Sequence, residues 1–168
     1  MEIEAEKKQY AGFWIRFGAY LIDGLIVGIP YLIILMILMF TMVSNTEGFE
    51  QLMFAEDPMY VEEQIPEEAL MGMIVFYLIS FVIGILVSVG YYAGLHASRW
   101  QATIGKKLLG LKVTTIQGER ISFWRAVGRF LGMQLLSSIF MIGFIMAAFT
   151  EKKQSLHDMI SGTIVIKK

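Results

Sequence analysis

Between Arg16 and Arg99 the chain carries no lysine or arginine, and within that interval the stretches Gly24–Val43 and Leu70–Leu95 carry no charge of either sign. They are 20 and 26 residues long, and an apolar helix needs roughly 20 residues to cross a bilayer core about 30 Å thick. A third uncharged stretch, Phe130–Thr150, has 21 residues. Hydrophobic residues make up 56% of the 168 and charged residues 17%, against roughly 45–50% and 25% in a soluble domain. The expected fold is an all-α transmembrane helical bundle, read as one domain over residues 1–168, with spans at about 17–43 and 70–95. The segment 130–150 is either a third span or a re-entrant helical hairpin. The first span is no signal peptide: it is too long for an h-region, follows the mixed-charge segment Glu2–Lys8, and lacks a small-residue cleavage site. Pro30 inside it predicts a kink rather than an end.

Charge placement orients the chain. Lys7, Lys8 and Arg16 precede or open the first span, and seven basic residues with one acid occupy 99–129. The loop 44–69 holds eight acids and no base. Because lysine and arginine stay in the cytoplasm, the N-terminus and the basic segment 99–129 are expected inside the plasma membrane and the acidic loop outside. That loop reads first as a solvated cap, and alternatively as a vestibule that attracts cations. If 130–150 spanned once, Lys152, Lys153, Lys167 and Lys168 would lie outside, against the rule. Two half-helices, broken near Ser137–Ser138 or Gly143, would return the tail to the cytoplasm, with non-helical backbone covered by protein. Leu111–Thr115 and Thr163–Lys168 read as short β-branched strands, the first followed by a turn at Gln117–Gly118. Their pairing into a small cytoplasmic β-element requires both on one side, which favours the hairpin.

Charges placed within apolar segments are the candidate site. Arg16 and Asp23 are seven residues apart, so a helix puts them on nearly one face, about 10 Å apart along its axis. A lone carboxylate inside hydrocarbon costs several kcal/mol, so Asp23 should face the bundle interior, be paired, or be protonated. Arg125 and Arg129 lie one turn apart before the third apolar stretch, and His157–Asp158 follow it. The hairpin topology lets Asp158 approach Arg16. The expected ion, proton or charge-lock site is therefore Arg16, Asp23 and Asp158, with Arg125, Arg129 and His157 as secondary members. Small residues at four-residue spacing, Gly24–Gly28, Ser80–Gly84–Ser88, Gly90–Gly94 and Gly128–Gly132, predict close helix contacts. Tyr91, Tyr92 and Trp100 read as interfacial anchors.

Other chemistry is excluded. The absence of cysteine removes disulfides and thiolate sites. Thr103–Lys107 is not a phosphate loop, because Trp100 and Lys107 stand where a glycine and a hydroxyl residue are needed. Two histidines in separate segments do not make a metal hydrolase, and no nucleophile–base pair is visible. No enzymatic activity, cofactor, metal or nucleic-acid partner is expected.

Three ordered blocks carry a family resemblance: Ala11–Asp23 (AGFWIRFGAYLID), Thr103–Val113 (TIGKKLLGLKV) and Leu156–Val165 (LHDMISGTIV). In these the chain resembles the RDD family of small bacterial membrane proteins, named for one arginine and two aspartates. The resemblance covers Tyr10–Lys168 and makes Arg16, Asp23 and Asp158 the eponymous three. It implies little about activity. Most members have none assigned, transport of unidentified ligands is the usual suggestion, and a few are described as sodium/proton antiporters. Two readings stay open. The first is small-ion transport, exchanging Na+ for H+ at an intramembrane Asp23 paired with Arg16, in a homo-oligomer. The second is a non-transporting regulatory or docking protein that binds another membrane protein.

Overall fold

The computed structural model describes residues 9–44, 67–137 and 145–168. Lys7 and Lys8, nearly all of the acidic loop, and the expected breaks at Ser138 and Gly143 lie outside the described residues. The chain divides into two compact units, residues 1–27 with 87–168, and residues 28–86.

Helix α1 (Phe13–Ser44) runs through Pro30 without ending there. Helix α2 (Glu67–Val89) continues through a π-helical turn at Gly90–Gly94 and a last turn at Leu95–Ala97. Their apolar parts, Phe13–Met42 and Leu70–Ala97, are 30 and 28 residues long and qualify as membrane spans. None of the most apolar 18-residue window of α1 is buried, and only 6% of that of α2. A soluble protein's core helix would be covered, whereas Leu25, Met36, Phe40, Phe81 and Leu86 all stand exposed. Apolar surface left bare at this length is suited to lipid rather than water.

Within residues 28–86 the seam expected at Ser80–Gly84 is present. The Tyr31 hydroxyl donates to the Ser80 carbonyl at 2.5 Å, and a Cβ on Gly84 would come within 2.9 Å of that hydroxyl. The other small-residue pairs do not behave alike. A Cβ on Gly24, Gly28, Gly90, Gly94 or Gly128 would meet nothing within 4 Å, so among the described residues these glycines make no close seam. Small size permits an approach of helices, but a partner must be there to use it.

The other unit is built on the expected strand pair. Strands β1 (Leu111–Thr115) and β2 (Thr163–Lys167) pair antiparallel, with Val113 opposite Val165. Gly118 takes φ +97° in the turn after β1, a conformation glycine adopts without strain. Residues 9–11 lie along the far edge of β2, through Ala11 N to the Val165 carbonyl (2.9 Å) and Lys167 N to the Gln9 carbonyl (2.8 Å). The stretch before α1, the basic segment and the tail therefore meet at one place. Around the strands pack α3 (Ile104–Leu108), α4 (Phe123–Gly132, continued by a π-helical turn at Met133–Ser137) and α5 (Leu156–Ile160). The core is small and aliphatic: Ala11, Ala19, Ala93, Leu111, Val113, Ile121, Ala126 and Val165. The third apolar stretch is described only at its ends, by α4 with its π-turn and by a 3-10 turn at Met146–Ala148.

Candidate functional site

Asp158 is the hub. It is the third residue of α5, where its carboxylate reaches back to the Ser155 N–H (3.2 Å) and accepts from the Ser155 hydroxyl (2.8 Å), both at Oδ2. This capping arrangement orients the side chain from within its own helix. Two arginines from other helices complete it. Arg129 of α4 donates to Oδ1 through Nε (2.9 Å) and a terminal nitrogen (2.5 Å), and Arg16 of α1 donates to Oδ2 in a short ion pair. Thr163, at the start of β2, accepts a further bond from Arg129 Nε at 3.2 Å. Asp158 is wholly buried and Arg129 nearly so.

Burial alone would raise the Asp158 carboxyl. The guanidinium groups of Arg129 and Arg16 outweigh it and hold the group well below the usual carboxylate range. His157 beside it is also pushed down, to about 3, first by burial and then by the Arg129 charge, which for a histidine favours the neutral form. Its Nε2 lies 2.9 Å from the Ser155 hydroxyl. A histidine held neutral in this way is a fixed hydrogen-bonding group at neutral pH rather than a sensor.

Asp23 departs from expectation. Arg16 was the partner the spacing suggested, but Arg16 turns to Asp158 and to the Ala11 carbonyl (2.9 Å). Asp23 instead accepts from three neutral donors: the Tyr91 hydroxyl (2.7 Å), the Thr103 hydroxyl (2.6 Å) and the Gly105 N–H (2.7 Å). Seven residues of helix leave two side chains about 10 Å apart along the axis, too far for direct contact unless both bend toward one another. Closer donors win. The π-turn at Gly90–Gly94 carries Tyr91, and Thr103 caps α3 while giving its own proton to Asp23. Gly105 has no substitute at that place, because a Cβ there would fall 2.4 Å from the Ala19 carbonyl oxygen and 2.9 Å from Asp23 Oδ1.

Tyr91 and Tyr92, expected as interfacial anchors, are both engaged within the protein. The first serves Asp23 and the second is buried, stacked on Phe130 at 5.6 Å between ring centroids. Trp100 is half exposed, with the Lys107 ammonium 3.4 Å from its ring centre. Arg125 stays exposed on α4 and joins neither carboxylate. Lys106, one of the basic residues of 99–129, is buried, and its Nζ lies 2.9 Å from His96 Nε2. Burial and the neighbouring Arg129 charge push that lysine well below its ordinary range. Among the described residues no three His, Asp, Glu or Cys side chains gather as a metal site.

A cavity of about 340 Å³ adjoins both carboxylate clusters. Its lining includes Arg16, Asp23, Lys106, Arg129 and His157 among aromatic and aliphatic side chains.

The family model for the RDD family matches residues 10–162. The chain belongs to the RDD family. It is 46% identical over 158 residues to the uncharacterized protein YxaI of Bacillus subtilis (strain 168), covering 94% of this chain and 97% of that one. It is 28% identical over 167 residues to the uncharacterized membrane protein YteJ of the same organism, covering 98% and 85%. No solved structure matches. Two long, lipid-suited helices and this kinship make it a membrane-associated RDD protein.

Proposed function

We propose that this RDD protein is a regulatory or docking membrane protein, with the cluster of Asp158, Arg16 and Arg129 acting as a structural lock rather than as an ion carrier. The observation that carries the reading is the saturation of Asp158, whose two oxygens accept from two arginines and the Ser155 cap. Asp158, held by two permanent cations, is not free to exchange partners as a carboxylate alternating between proton and sodium must be, and it takes Arg16 away from Asp23, the carboxylate of the exchange reading. In this reading the chain crosses the plasma membrane with its N-terminus in the cytoplasm. The pairing of the tail with β1 supports placing the two ends of the segment 130–150 on one side. The lock then fixes a cytoplasmic cap to the first turns of α1, and the cap or the acidic loop meets another membrane protein.

Sodium/proton exchange is the second reading, favoured by one observation: Asp23 is 1% exposed yet lines the cavity. Exchange would require Tyr91, Thr103 and Gly105 to release it. Purified protein in liposomes with an internal pH dye separates the two. The lock reading predicts no sodium-dependent pH change. A sodium-driven change abolished by Asp23→Asn would overturn it. Crosslinking in intact membranes should join the protein to a second membrane protein, and recovery of only its own copies counts against docking.

A further inference from the structure

The cavity is unevenly provided with hydrogen-bonding groups. Asp23, the one carboxylate among its described lining residues, already accepts three bonds, and Asp158 is saturated. Donors remain. Arg16 has a side-chain exposure of 10%, lines the cavity, and its Nη2 is buried without a hydrogen-bond partner. Lys106 also lines it, and its Nζ lies against a histidine ring nitrogen, that of His96. A buried donor left unmade costs about 1–3 kcal/mol, and more where the group is charged, so an entering acceptor has much to gain. Arg129, His157 and Ser155 also line it, and much of the remaining wall is apolar or aromatic, with Phe13, Phe17, Tyr92, Met133 and Ile145 among them. The volume of about 340 Å³ suits a small ligand, lying near the low end of the roughly 300–1,000 Å³ usual for such sites.

We propose that this cavity binds an oxyanion head carried on a short apolar tail, as in an alkyl carboxylate, with Arg16 Nη2 and Lys106 Nζ donating to the head and the aromatic wall covering the tail. The head belongs either to a free amphiphile or to an acidic phospholipid of the surrounding bilayer. Lys106 is the adjustable charge. His96 from α2, Asp23 and Arg16 from α1, Arg129 from α4 and Asp158 from α5 bear on it, and burial with Arg129 disfavours its ammonium. An anion placed against Nζ reverses that balance, so the ligand brings a proton with it and the pair enters without net charge.

Calorimetric titration of the full chain in phosphatidylcholine nanodiscs, with empty discs subtracted, tests this with octanoate, octanol and octylamine. Octanoate should bind saturably and take up one proton near neutral pH, read from titrations in two buffers of different ionisation enthalpy. Octanol should bind at least about tenfold more weakly, and octylamine not at all. Lys106→Gln should lower octanoate affinity about tenfold or more while leaving octanol unchanged, the octanol signal showing that the cavity is intact. Arg16→Lys keeps a cation for Asp158, removes the spare nitrogen, and should weaken octanoate likewise. If phosphatidylglycerol discs suppress octanoate binding, the bilayer supplies the head; if they do not, a free amphiphile does. Equal affinity for octanoate and octanol, no saturable binding above empty discs, or unchanged octanoate binding in Lys106→Gln would overturn the proposal.

Discussion

Asparagine at position 158 would keep the volume of the side chain and remove its charge. Arg16 and Arg129, 10% and 3% exposed, would then face each other across a neutral amide with no carboxylate between them. Breaking a buried ion pair by removing one partner costs about 3–5 kcal/mol, because the charge left behind stays desolvated. Here two guanidinium groups are left behind, so Asp158→Asn should fall at the upper end of that range. The assay is denaturant unfolding in lipid nanodiscs, followed by circular dichroism. The double variant Asp158→Asn with Arg129→Gln should lose less than the sum of the two single changes, since removing both partners relieves the stranded charge. An Asp158→Asn loss below about 1 kcal/mol, the size expected of an exposed pair, would refute the reasoning.

Gly105→Ala should destabilise by about 1–3 kcal/mol or prevent folding, as overpacking does, because the new methyl would sit 2.4 Å from the Ala19 carbonyl oxygen; thermal unfolding reads it, and a neutral result would mean that α3 does not dock on Asp23. His157, whose folded value of about 3 lies below its ordinary 6.5, contributes stability that is fully present above pH 6.5 and is lost as pH falls toward 3. The loss approaches about 1.4 kcal/mol per pH unit, and His157→Gln should reduce that slope in unfolding measured from neutral to acidic pH. Tyr91→Phe removes one of three donors to Asp23 and should cost about 1–3 kcal/mol in the same unfolding assay; no change would mean that the remaining donors suffice.

Much of the fold was legible because membrane and strand signals are local. Charge-free length marked α1 and α2, and β-branched runs marked β1 and β2 almost to the residue. The approach of Asp158 to Arg16 followed from the placement of the tail lysines and from the strand pairing, which both bring the tail back. The partners of Asp23 were hidden because Tyr91, Thr103 and Gly105 lie 68, 80 and 82 positions away in the chain. Neither helical period nor charge count reaches so far. One signal was available: a threonine opening a short helix, with glycine two residues on, inside a block that already carried the family resemblance. A residue that can neither grow nor lose its N–H is a contact, and Gly105 was such a residue. The burial of Lys106 was hidden for a related reason, since a lysine in a basic segment gives no local sign that its ammonium is turned inward toward a histidine.

The central claim is that the tail following Phe130–Thr150 comes back to β1, bringing Asp158 to Arg16. The chain has no cysteine of its own, so paired substitutions are clean reporters. Lys112→Cys with Ile166→Cys, which face each other in the strand pair, should form a disulfide on mild oxidation of native membranes. Failure of that pair to crosslink, while a single cysteine at Lys168 is labelled from outside intact cells, would place the tail across the membrane from β1 and contradict the account.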